Sequence, residues 1–164
     1  MRASLRLVSF AAIAVSAFCL GACSSDDSEE PAAADLPSDW QGAERVTNLM
    51  QLDCEGSPLE GSNERATFLP GDGSLGVQYE EAHFRCQQDV EGFFKDEGET
   101  LDILVQPNEM HPTSVARCDC LYDITMAIEP LGAGSRQVTL FRRWDDINEP
   151  NDPVQIGSEL VTIE

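Results

Sequence analysis

Between Cys118 and Glu129 apolar side chains recur at every second position. Cys118, Cys120, Tyr122, Ile124, Met126 and Ile128 fall on one phase, while Asp119, Asp123, Thr125 and Glu129 fall on the other. A period of two is the spacing of a β-strand with one dry face and one wet face, and an amphipathic helix cannot satisfy it. This segment must therefore lie across a sheet, with two cysteines on its apolar side.

The same period recurs along the chain. Val46, Asn48, Met50, Leu52 and Cys54 share a phase before Glu55-Gly56-Ser57-Pro58 breaks the run. Ala66 and Phe68 mark a short strand stopped by Pro70-Gly71-Asp72-Gly73, a strong turn signal. Leu75, Val77 and Tyr79 alternate, but the apolar phase resumes shifted at Ala82, Phe84 and Cys86. A one-residue slip inside a strand predicts a β-bulge near Glu80-Glu81. Val90 to Lys95 and Leu101 to Val105 flank Asp96-Glu97-Gly98-Glu99, as the arms of a hairpin would. Pro107 and Pro112 mark a loop, Gly132-Ala133-Gly134 leads into a strand over Arg136 to Arg143, and Val154 to Ile163 is the last strand. These short strands predict one all-β domain, an antiparallel sandwich or barrel of about seven to eight strands over residues 40–164, stapled by disulfides.

The N-terminus is of another kind. Arg2 and Arg6 precede an apolar run from Leu7 to Cys19, too short to span a bilayer as a mature helix, and Leu20-Gly21-Ala22-Cys23 follows. This arrangement resembles the lipobox of bacterial lipoproteins. The resemblance implies that residues 1–22 are a cleaved signal peptide and that Cys23 is acylated, which anchors the protein to a membrane of the cell envelope. Each buried methylene of an acyl chain contributes about 0.8 kcal/mol to such an anchor. In that family Asp after the cysteine retains the protein in the inner membrane; Ser24 stands here, which implies the outer membrane. Residues 23–39 then read as the lipidated cysteine and an acidic tether whose one sizeable apolar residue is Leu36. A flexible tether of that length spans roughly 20–25 Å.

With Cys19 lost in the leader and Cys23 carrying lipid, four cysteines remain, Cys54, Cys86, Cys118 and Cys120, each on the apolar phase of its strand and so expected to face the core. An exported protein meets an oxidising compartment, where an even cysteine number forms disulfides. Cys118 and Cys120 would sit roughly 6.5–7 Å apart in an extended strand, at or beyond bridging distance. They are expected to pair separately with Cys54 and Cys86, in either of the two remaining combinations. A zinc site would use close Cys-x2-4-Cys pairs on turns, which this spacing does not offer. Cys118-Asp119-Cys120-Leu121-Tyr122-Asp123 also resembles a Cys-x-Cys-x-Tyr-Asp strand of uncharacterised bacterial envelope lipoproteins, a resemblance that brings no activity with it.

Charge narrows the partners. Without Arg2 and Arg6, eight basic side chains stand against thirty acidic ones, a net charge near −22. Such a surface repels nucleic acid and anionic lipid headgroups. Arg142, Arg143 and Trp144 form a basic-aromatic cluster that would suit an envelope protein or glycan. The bland alternative is a strand end whose arginines pair with Asp145 and Asp146 while Trp144 covers the core edge. Asp145, Asp146, Asn148 and Asp152 also crowd oxygen ligands into one loop, a possible calcium site that lacks the glycine of an EF-hand. His83, on the phase opposite Phe84, is expected to be exposed, and His111 lies in a loop. Neither histidine belongs to a zincin motif, Ser74 lacks the nucleophile-elbow spacing, and there is no phosphate or dinucleotide loop. The sequence thus reads as a lipid-anchored, non-catalytic binding or structural module, with a calcium-binding domain as the alternative and an enzyme of unknown class third.

Overall fold

A two-residue turn at Asp72-Gly73 joins two strands, Arg65–Gly71 (β3) and Ser74–Arg85 (β4), in a hairpin running from Gly71↔Ser74 to Arg65↔Glu80. Gly73 takes φ +60°, the left-handed conformation that such a turn requires. In the computed structural model, which describes residues 35–56, 63–108, 118–144 and 152–164, this hairpin lies within a two-sheet sandwich. The other strands are β1 (Glu44–Arg45), β2 (Asn48–Gln51), β5 (Val90–Asp96), β6 (Thr100–Pro107), β7 (Asp119–Ile128), β8 (Gly134–Arg142) and β9 (Val154–Ile163). One sheet has the order β1-β5-β6-β8-β9 and the other β2-β7-β4-β3. The sequence count of seven to eight strands becomes nine among the described residues, because β1 has only two residues and β2 only four.

Among the described residues all the pairings are antiparallel except one: β6 and β8 run parallel. Parallel neighbours need a long crossover, and here the chain makes it by passing through β7 in the opposite sheet. Alternation along a single strand carries no information about the direction of its neighbour.

The expected bulge is present. Tyr79 pairs with Ile124 and Ala82 with Tyr122, so Glu80 and Glu81 together oppose Asp123. Glu81 has φ +53°, and its N–H donates to Asp123 Oδ1 at 3.1 Å. The extra residue restores the inward phase, so Leu75, Val77, Tyr79, Ala82 and Phe84 all reach the core. They meet Cys120, Tyr122, Ile124, Met126 and Ile128 of β7, and the facing sheet adds Leu101, Ile103, Val138, Leu140, Val161 and Ile163.

Glycines stand at both seams between the sheets. A Cβ on Gly92 would lie 3.0 Å from Leu49 Cδ1 and 3.2 Å from Val46 Cβ, and one on Gly157 would lie 3.2 Å from Ala66 Cβ. The first seam corrects the phase expected around β2. Val46 N–H bonds the Gly92 carbonyl in one sheet, while β2 pairs with β7 in the other. The change of sheet reverses the phase, so Leu49 packs on the core while Met50 and Leu52 are exposed.

The cysteines form two disulfides, Cys54–Cys120 and Cys86–Cys118, with Cα separations of 5.8 and 5.4 Å. Their expected common burial does not hold. Cys120 is fully buried, Cys86 is half-buried, and Cys54 and Cys118 are exposed. Cys54 lies beyond β2, where the Leu52 and Glu55 N–H groups and the Gly56 carbonyl still bond β7, and Cys86 and Cys118 lie where the β4–β7 ladder ends.

A second apolar cluster covers the outer face of the first sheet, where Trp40, in a 3-10 turn over Ser38–Trp40, packs with Phe93 and Leu104 against Leu36, Ala43 and Phe141. The Trp40 and Phe141 rings meet edge to face at 5.8 Å, and Lys95 Nζ sits over the Trp40 ring while bonding the Asp39 carbonyl. Removing an aromatic of this size from water contributes about 4–6 kcal/mol before its ordering cost. The sequence places residues 35–39 in the tether; the structure docks them on the sheet, because Leu36 finds an apolar strip to cover.

Peptide mapping under non-reducing conditions is expected to recover the 54–120 and 86–118 links. Replacing Cys86 and Cys118 by Ala should lower the unfolding free energy in denaturant melts by about 2–4 kcal/mol. Removing the Cys54–Cys120 link should cost about 0.6 kcal/mol more by chain entropy, since its sequence separation is 66 against 32.

Candidate functional site

β3 stops pairing at Arg65↔Glu80, which leaves the second half of β4 with an open edge. The His83 N–H and carbonyl, which point away from β7, are taken up there by side chains. Glu64 Oε1 accepts the His83 N–H at 2.9 Å, and Arg142 Nη1 donates to the His83 carbonyl at 3.1 Å. The same Glu64 oxygen accepts the Tyr79 hydroxyl at 2.6 Å and forms an ion pair with Arg142 Nε at 3.2 Å. Two side chains thus occupy an edge where a third strand would otherwise lie. Burial drives the Tyr79 phenol far above its ordinary pKa, reinforced by the charge and hydrogen bond of Glu64 and opposed by Arg142.

Trp144 closes this end of the sandwich. It packs against the core edge, with the His83 ring 4.5 Å away at 45° and the Arg85 and Arg142 guanidinium carbons 5.8 and 5.5 Å from its own ring. His83 Nε2 lies 3.6 Å from Asp119 Oδ2 and is buried with no hydrogen-bond partner. Arg85 and Asp119 pair across β4 and β7, directly beside the Cys86–Cys118 bridge. His83 is therefore half-buried, not exposed as its outward phase implied, because Trp144 lies over it.

Arg142, Arg143 and Trp144 diverge. Arg142 and Trp144 belong to the end just described, whereas Arg143 projects from the other face of its sheet. There it is buried, donates to Gln106 Oε1 at 3.3 Å and bonds the Asp35 carbonyl. Gln106 Nε2 in turn donates to Glu91 Oε1 at 3.2 Å, and Arg45 pairs with Glu91 at 3.1 Å. The arginines are engaged by groups far away in sequence; Asp145 and Asp146, their expected partners, lie outside the described residues.

Of the calcium candidates, Asp145, Asp146 and Asn148 lie outside the described residues, and Asp152 is exposed beside a cleft of about 390 Å³ that holds Lys95 and Trp40. Among the described residues no three His, Cys, Asp or Glu side chains converge to hold a metal. Cys23 and His111 also lie outside the described residues, and Ser74 sits at the β3–β4 turn. Glu64, Glu91 and Gln106 were not singled out in the sequence. Glu64 follows a polar Gly-Ser-Asn stretch and reads as loop, while Gln106 and Glu91 occupy the outward phase of apolar strands, where a polar side chain is unremarkable. No protein-family model, curated protein or solved structure matches this chain.

The geometry makes Glu64 the keystone of its end. Glu64→Ala leaves the Tyr79 hydroxyl, the His83 N–H and the Arg142 charge without their acceptor, and is expected to cost about 3–5 kcal/mol in denaturant melts. Tyr79→Phe removes one hydrogen bond but leaves the ion pair, and should cost about 1–2 kcal/mol.

Proposed function

We propose that this protein is a lipid-anchored lipoprotein of the bacterial cell envelope whose β-sandwich serves as a non-catalytic binding or structural module. The observation that carries the reading is the order of the first residues: Arg2 and Arg6, an apolar run, Leu20-Gly21-Ala22-Cys23, then the abrupt polar switch at Ser24-Ser25-Asp26-Asp27. Two disulfides in so small a domain agree with it, because such bridges persist in oxidising compartments. Ser24 favours the outer membrane within this reading. The half-exposed His83–Trp144–Arg85 end is the surface of the module best suited to an envelope protein or glycan, since it offers an aromatic and cationic contact on a strongly acidic chain.

Metabolic labelling with a fatty acid in a Gram-negative host tests the anchor directly. The wild-type chain should take up label, partition into the membrane fraction and show an intact mass that begins at an acylated Cys23. Cys23→Ser should lose the label with its melting profile unchanged. A mature chain that starts elsewhere and carries no acyl mass would sink the proposal.

A further inference from the structure

The cleft beside Asp152, about 390 Å³ in volume, mixes two kinds of side chain. Trp40, Phe141 and Pro153 supply apolar rings, and Asp39, Asp102 and Asp152 supply carboxylates; Lys95 is the one cation among these lining residues. Four separate parts of the chain meet here. Lys95 and Asp102 lie opposite each other across β5 and β6, and Asp102 lies opposite Thr139 of β8, two residues before Phe141. Trp40 arrives in the 3-10 turn over Ser38–Trp40, and Asp152 and Pro153 immediately precede β9.

Lys95 and Asp102 are neighbours that do not pair. The Lys95 ammonium turns instead to the Asp39 carbonyl and to the Trp40 ring, 5.5 Å from its centroid. Among the described residues Asp102 is left with no hydrogen bond or ion pair, although it is half-buried. Burial and the repulsion of Glu97 raise its pKa, opposed by the attraction of Lys95, as befits a carboxylate short of positive charge. Lys95 itself shows what this lining accepts: an ammonium on a methylene stem, laid over an indole face.

We propose that this cleft binds a small alkyl diamine, whose ammonium groups meet Asp102 and the flanking carboxylates while its methylenes lie against Trp40, Phe141 and Pro153. The lining discriminates among ligand classes. An anion meets three like charges, and an uncharged ligand leaves Asp102 unpaired. The three carboxylates do not converge on one point that a metal ion could occupy, and a hydrated ion gains nothing from apolar rings. A cation with a stem uses both halves of the lining, and the acidic chain around it raises the local concentration of cations. The site depends neither on the lipid anchor nor on the His83–Trp144 end.

NMR titration of the full mature chain in neutral detergent, at constant ionic strength, tests the site. The probe is 1,4-diaminobutane; 1,4-butanediol is its uncharged counterpart, and magnesium chloride controls for screening. The two tryptophans separate the sites: the Trp40 indole N–H should shift saturably with the diamine, and the Trp144 indole should not. The diol and magnesium should leave both in place. Asp102→Asn removes no hydrogen bond among the described residues and should keep the wild-type melt while weakening diamine binding about tenfold. Glu55→Gln makes the same change of charge beside the other sheet and should leave the affinity unaltered. The proposal is overturned if the Trp40 signal does not saturate, if the diol or magnesium reproduces the shift, or if the two variants bind alike. Tighter binding of Nα-acetyl-lysinamide than of the diamine would also overturn it, in favour of a partner's lysine side chain. Should Asp102→Asn fail to fold, the comparison of diamine with diol and magnesium on the wild-type chain decides.

Discussion

One disulfide of this domain ends on β7 at Cys120 and the other on Cys118, the residue just before it, and the architecture hangs from that strand. β7 pairs with β2 on one side and β4 on the other, and it carries five core residues on its inner face. It also makes the crossover that lets β6 and β8 lie parallel. Its Cys120 is bonded to the chain just past β2, and Cys118, which leads into it, to the chain just past β4. The bridges therefore fasten the strand to both of its neighbours at the end where ladder hydrogen bonds give out.

The polar groups inside the domain sit where a sheet runs out of partners. Glu64 and Arg142 satisfy the stretch of β4 that β3 does not reach, and Gln51 does similar work on the facing side, donating to the Gln88 carbonyl and accepting the Val90 N–H, each at 3.0 Å. Tyr122, near the same corner, donates to the Arg85 carbonyl and accepts the Gln87 N–H, both at 3.0 Å. Gln87 itself has φ +62°. Side chains here replace missing strands, because a buried backbone group without a partner costs more than the side-chain ordering needed to satisfy it. The same logic extends to the face covered by residues 35–43, where Arg143 finds the Asp35 carbonyl.

Legibility varied with the range of the interaction concerned. The β7 alternation, the β3–β4 turn, the β5–β6 hairpin and the bulge at Glu80-Glu81 are local patterns, and each was readable from neighbouring residues. The β2 phase was misread because the chain changes sheet between Val46 and Asn48, which no short window records. Leu36 looked like a stray apolar residue in an acidic tether until Phe93, Leu104 and Phe141 supplied its partners from three different strands. The Arg142-Arg143-Trp144 cluster was visible as a cluster, but the strand alternation sends Arg142 and Arg143 to opposite faces.

By itself the sequence determined the all-β class, the turns, the bulge and the expectation that Cys118 and Cys120 pair separately rather than with each other, since these depend on the two-residue period and on bond lengths. It also determined the acidic charge of the surface and the leader-like order of the first residues. Only the tertiary structure decided which cysteine meets which, the parallel pairing of β6 with β8, and the gathering of Glu64, Tyr79, His83 and Arg142 at one end and Glu91, Gln106 and Arg143 on one face. Those are contacts between residues tens of positions apart, chosen by how two sheets stack, and no local period encodes them.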